Sequence, residues 1–296
     1  MRDNIVTGQW LVLAAAVLWG TTGTAQTFAP AGATPASVGA VRLVGGSLCL
    51  IALAAYRGQL GKVLRMPRRP LLIAAVGIAA YQICFFAGVA RTGVAVGTIV
   101  GIGTAPIWSG ALDWLVVGDR PGRRWLAATA LAILGSALLI AGGSSISVDP
   151  LGVLLAMGAG LAYAIYTLAS KQLLYDYAPD GVMAAVFGLG AVFLLPVLFV
   201  ADAGWLVEAR GLLVALHLSL LTVGLSYALW ARGLIRVSAS TAVTLSLAEP
   251  LTAATLGVLV VGERLPPVAL LGIALLVAGL ALLSLGQPTR PPALAE

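Results

Sequence analysis

Glu249 has the most constrained chemistry of any residue in this sequence: it is a carboxylate in the middle of an apolar run, immediately before Pro250. An isolated carboxylate loses too much hydration to be buried bare, so at that depth it must be protonated, paired or open to a wet cavity. Two uses follow. It binds donors left near the point where Pro250, which has no N–H, interrupts the helical ladder, or it meets an ammonium group or an exchangeable proton. Two other charges fall inside apolar runs. Arg42 sits about two helical turns from the end of its run, close enough for its long stem to snorkel out, the alternative being a role at the substrate. Asp113 lies one turn from the end of its run and is expected to be hydrated there, the alternative being a gate role. No basic residue lies at an obviously matching depth to Glu249.

Aromatic and amide side chains are also spread through the apolar runs: Trp19, Gln26, Tyr81, Gln82, Trp108, Tyr163, Tyr166, Tyr227 and Trp230. An indole or phenol offers a flat apolar face with one polar handle, so such a set either lines a pocket or serves packing and an interfacial belt. Trp10 and Trp125, at the starts of runs, read as belt residues. No enzyme constellation is present. His217 is the single histidine, in an apolar run, and is expected to be a satisfied buried one and not a ligand or base. Cys49 and Cys84 lack any CxxC or Cys/His spacing, so no metal site or disulfide is expected. Without a P-loop pattern, ATP is not the direct energy source, and no cofactor is expected.

With 60% hydrophobic and 9% charged residues, 296 residues carry more apolar surface than a soluble core of that size can hide. The chain is therefore expected in a bilayer. The 36 glycines suit close helix approach there. The +6 charge is dispersed between apolar runs and not gathered on one face, which argues against nucleic acid. Ten runs are long enough to cross about 30 Å of hydrocarbon. Their limits are 9–28, 36–55, 70–90, 94–117 and 125–142, then 151–174, 181–201, 210–231, 238–261 and 267–285. The first reads as a retained span and not a cleaved signal. None shows strand alternation, so the fold class is all-α and polytopic.

Arg2, Arg57, Lys62, Arg65, Arg68, Arg69, Arg120, Arg123, Arg124, Lys171, Arg232, Arg236 and Arg290 fall on one side of this topology, against Arg91, Arg210 and Arg264 on the other. Positive charge accumulates inside, which predicts both termini in the cytoplasm.

The chain also contains its own copy. Val116-Val117-Gly118-Asp119-Arg120 returns 144 residues later as Val260-Val261-Gly262-Glu263-Arg264, and Pro106 answers Pro250. The same offset pairs Gly8 with Gly152, Gly46 with Gly190 and Gly135 with Gly279; Gly88 and Arg91 meet Gly233 and Arg236 at 145. Two five-helix units result, residues 1–146 and 147–296. Five is odd, so consecutive copies cross the membrane in opposite directions. Inverted repeats of this kind recur in secondary transporters, where one motif builds two similar gates. Helix breaks are expected at Pro106 and Pro250, with Gly97, Gly101, Gly103 and Gly110 softening the first.

Ala14 to Gly20, AAAVLWG, together with the paired Pro-to-Gly-acid segments 106–119 and 249–263 and Gly135 with Gly279, resembles the drug/metabolite transporter superfamily over nearly the whole chain. Ten helices in five-plus-five order are similar to its branch that exports amino acids and related metabolites, including bacterial aromatic amino acid exporters. The resemblance implies that spans 1, 3, 4, 6, 8 and 9 surround a central cavity. Substrate-binding residues would then be Trp19, Tyr81, Gln82, Trp108, Tyr163, Tyr166, Tyr227, Trp230 and Glu249, meeting a small zwitterion with a hydrophobic side chain. The expected activity is alternating-access export of amino acids or related small metabolites across the inner membrane. Efflux of aromatic cationic drugs is the alternative, and a non-transporting scaffold or an enzyme stands further off.

Overall fold

The computed structural model describes residues 2–141, 149–200, 203–262 and 264–285. The expected run ends at 142 and 201, the boundary between 146 and 147, Glu263 and Arg290 lie outside them. Among the described residues ten helices are long and apolar enough to span a bilayer: α1 (Asn4–Thr27), α2 (Ala36–Tyr56), α3 (Arg68–Gly93), α4 (Val96–Val117), α5 (Arg123–Ile140), α6 (Pro150–Leu174), α7 (Pro179–Pro196), α8 (Ala209–Leu234), α9 (Ala239–Val261) and α10 (Pro267–Ser284). Helix is the form in which such apolar sequence satisfies every backbone amide internally.

Local chemistry fixes several starts. Thr34 Oγ1 accepts from Ser37 N at 3.2 Å ahead of α2, Asp149 Oδ1 from Leu151 N at 2.9 Å ahead of α6, and Ser238 Oγ from Thr241 N at 3.1 Å ahead of α9. Each supplies an acceptor to a first-turn N–H that has no helical partner. The repeated Val-Val-Gly motif closes α4 and α9 in the same way. Asp113–Val117 and Gly257–Val261 form π-helical turns, ended by Gly118 at φ 80° and Gly262 at φ 82°. Left-handed backbone at that point needs glycine, which explains its return in the copy.

The two prolines behave differently. Pro250 cannot donate to Ser246 O, and Glu249 N takes that carbonyl at 3.0 Å, so α9 turns at Ser246–Leu247 between two helical pieces. At Pro106 the helix continues, contrary to the expected break; the residue with non-helical angles is Gly93 (φ 81°, ψ 163°), between α3 and α4. A membrane helix keeps helical backbone angles around one missing N–H when local adjustment or neighbouring groups satisfy the freed carbonyl.

Contacts between the two matched sequences are reciprocal. A Cβ on Gly8 would meet Arg236 and Gly233, and one on Gly152 would meet Arg91 and Gly88. Gly135 packs on Gly272 and Leu276, while Gly279 packs on Ala128 and Ala132. Gly46 faces Val223 as Gly190 faces Ile78. The polar links follow suit: Arg91 binds Asp149 at 3.2 Å, and Arg236 Nε donates to Asn4 Oδ1 at 2.7 Å. Offsets of 144 and 145 interconvert the members of each pair.

Candidate functional site

A cavity of about 320 Å³ lies among α1, α2, α3, α4, α6, α8 and α9. Along α1 and α3 it touches the C-terminal halves, and along α2 and α4 the N-terminal halves, so it opens the bundle toward the end those halves share. Tyr163 and Glu249 lie near the middles of their helices and reach it at mid-depth. The turn at Ser246–Leu247 brings Ser246 and Glu249 to the same wall.

Of the nine expected contact residues, six line this cavity: Trp19, Tyr81, Gln82, Tyr163, Tyr227 and Glu249. Trp19 is fixed by an indole N–H donated to Ser226 Oγ at 2.9 Å and by the Tyr227 ring, 5.0 Å away between centroids. Tyr81 and Tyr163 meet at 5.4 Å on the facing side. Tyr166 and Trp230 do not line it. They are fully buried behind Tyr163 and Tyr227, stacked on each other at 5.4 Å and 15°, with the Tyr166 hydroxyl on Met183 Sδ. They buttress the wall from behind: each lies three positions beyond a lining tyrosine, only about 60° round the helix, and the packing of α6 against α8 puts the second ring of each pair inside the bundle. Trp108 also lies outside the lining residues. This layering predicts different phenotypes: Tyr227→Ala should alter the preference between large and small ligands in a competition assay, whereas Trp230→Ala should cost about 3 kcal/mol of stability, read as a lowered melting temperature in detergent.

Arg42, expected to snorkel outward, instead faces the same cavity as Glu249. It comes from α2, a helix not expected at the site. The two charges make no ion pair within 4 Å, and neither side chain hydrogen-bonds to another described residue; the Arg42 Nε is buried without a partner. Gln26, Phe85, Phe86 and Thr98 are among the other lining residues. A single arginine at a span end carries no sequence signal that distinguishes inward from outward orientation.

The opposite end of the bundle is held by polar contacts that the sequence reading misplaced. Asp113, expected to be hydrated, is 5% exposed, and its Oδ2 accepts from Ser240 N at 2.9 Å in the first turn of α9. A carboxylate there satisfies an N–H without a helical partner and faces the positive end of the helix dipole. Lys171, counted as a loop cation, is 8% exposed inside α6 and donates to Leu234 O at 3.1 Å and to Val237 O. Together they clamp the 235–238 link between α8 and α9 from both sides. Beside them Arg232 binds buried Asp180 at 2.7 Å, and Arg57 approaches it at 3.5 Å. His217 is half-buried: Thr21 Oγ1 donates to Leu18 O, so the 2.9 Å contact with His217 Nε2 requires the imidazole to donate.

A ten-helix bundle with a charged, aromatic-walled cavity at mid-depth is the build of a membrane transporter, and no cluster of His, Cys, Asp or Glu suited to a metal occurs among the described residues. The chain belongs to the EamA-like transporter family of the drug/metabolite transporter superfamily, whose model matches residues 6–141 and again 150–285. It is 46% identical over 285 residues to an uncharacterized transporter, YwfM, of Bacillus subtilis, covering 96% of this chain and 95% of that one. It is 31% identical to a probable terminal-alkyne amino-acid exporter of Streptantibioticus cattleyicolor (79% and 80% covered). Identity to the threonine/homoserine exporter RhtA of Escherichia coli is 30% (90% and 88% covered).

Proposed function

We propose that this transporter exports amino acids, including ones with hydrophobic side chains, across the inner membrane by alternating access. The observation that carries this reading is the mid-depth cavity in which a carboxylate and a guanidinium share walls of tyrosine and tryptophan. Its size suits a small metabolite, its faces suit an apolar side chain, and its two signs suit a zwitterion. Two relatives named for amino-acid export support the substrate class. Arg42 in the cavity weighs against aromatic cationic drugs, which it would repel.

In this reading residues 1–146 and 147–296 are inverted halves with both termini in the cytoplasm. The reciprocal contacts between matched positions and the crowding of Lys and Arg on one side support it. Substrate sits between the halves, and the cavity faces outward while the Lys171–Asp113 end is closed. Pro250 supplies a break that lets part of α9 rock.

Counterflow in liposomes tests the proposal. Purified protein preloaded with each unlabelled amino acid should accumulate the same labelled compound transiently and saturably. Wild-type protein that shows no saturable counterflow of any amino acid, while taking up an aromatic cation or nothing at all, would sink the reading.

A further inference from the structure

We propose that Arg42 is the carboxylate anchor of the transported amino acid, with Glu249 taking its ammonium, so that the cavity selects zwitterions over their amides and amines. The inference rests on the export reading above and adds to it a specificity-determining pair.

Arg42 enters the cavity from α2 about 9 Å along that helix from Ala36, at 1.5 Å per residue. Glu249 enters from α9, in the other half of the sequence. An arginine held within a membrane span is costly unless something uses its charge. Here no protein group closes on it: among the described residues Arg42 feels the charge of Glu249 across the cavity but has no hydrogen bond or ion pair, and its Nε is sealed from solvent. Glu249 likewise lacks a protein partner within 4 Å. Two opposite charges that face one cavity without closing on each other leave a gap between them. An α-amino acid bridges such a gap with its own two charges, its carboxylate accepting from the guanidinium and its ammonium donating to the carboxylate. Its side chain then lies against the rings of Tyr81, Tyr163 and Tyr227. The amide of the same amino acid keeps the ammonium and the side chain and loses only the anion that Arg42 holds.

The test uses wild-type protein in liposomes with labelled phenylalanine, leucine and threonine, each competed by itself, by its carboxamide and by the amine lacking the carboxyl group. Amide and amine should need roughly 10- to 100-fold more than the acid for half-inhibition. Arg42→Gln should bring acid and amide within about threefold of each other by weakening the acid alone, while leaving the amide unchanged. A purely structural role would weaken all competitors together. Arg42→Lys, which keeps the charge but not the bidentate fork, carries the same comparison where the Gln variant does not fold, and should fall between the two. Equal inhibition by acid and amide in the wild type overturns the proposal, as does an unchanged acid-to-amide ratio in a folded Arg42 variant. Absence of counterflow for every amino acid in the wild type marks failure of the export reading itself.

Discussion

Gly135→Val is expected to abolish accumulation of folded protein, and Gly279→Val to do the same. A Cβ at Gly135 would lie 2.4 Å from Leu276 N and 2.7 Å from Gly272 O; one at Gly279 would lie 2.7 Å from both Ala128 O and Ala132 N. These are backbone atoms of the facing helix, so no side-chain rotation relieves the overlap and α5 and α10 must separate. In a bilayer, helices are held mainly by such close approach and not by exclusion from water. Overpacking costs up to about 3 kcal/mol even where side chains can shift, and here the clash is with main chain. Size-exclusion of detergent extracts reads the outcome. Gly61→Ala, at a glycine with open space around it, is the matched control and should behave as wild type. A monodisperse Gly135→Val protein with wild-type melting would contradict the packing described.

Lys171→Met is the second large effect expected. It removes the ammonium that binds Leu234 O and Val237 O and strips Asp113 of a nearby positive charge. The loss should be about 2 kcal/mol, the usual range for hydrogen bonds to a charged group. Asp113→Asn should cost less, since the amide oxygen still accepts from Ser240 N. The double variant should fall short of the sum of the two single losses, because both side chains hold one link and attract each other. Thermal unfolding of the four proteins in one detergent measures this. Strict additivity would separate the two residues into independent contacts.

The ten helices were legible in the sequence because length and apolarity alone decide them in lipid. The turn in α9 was legible for a local reason: Pro250 has no N–H to give Ser246. The break at Gly93 was not, since one glycine among 36 carries no mark of a positive φ. Burial of Asp113 and Lys171 escaped for want of visible partners, which lie 127 and 63 residues away on the chain. Among the aromatics, sequence located the cluster and not its layers. Tyr163 and Tyr166 are three positions apart on one helix, and the packing of α8 against α6 decides which of them meets the cavity.

The clamp on the 235–238 link has no twin at the other end of the molecule. At an offset of 144, Asp113 corresponds to Gly257 and Lys171 to Thr27, neither of them ionisable. Two copies of one sequence are therefore not two copies of one door. Parting the Lys171 end means taking a buried carboxylate and a buried ammonium from their partners, whereas the end toward which the cavity opens carries the solvent-exposed Arg91–Asp149 pair. On the proposed alternating-access mechanism the two resting conformers then differ in energy even with nothing bound, and each 1.4 kcal/mol of that difference is about a tenfold bias in occupancy. On that mechanism the duplicated halves form a hinge that works in both directions, and the side chains in which they differ, Asp113 against Gly257 and Lys171 against Thr27, give it a preferred way to wait.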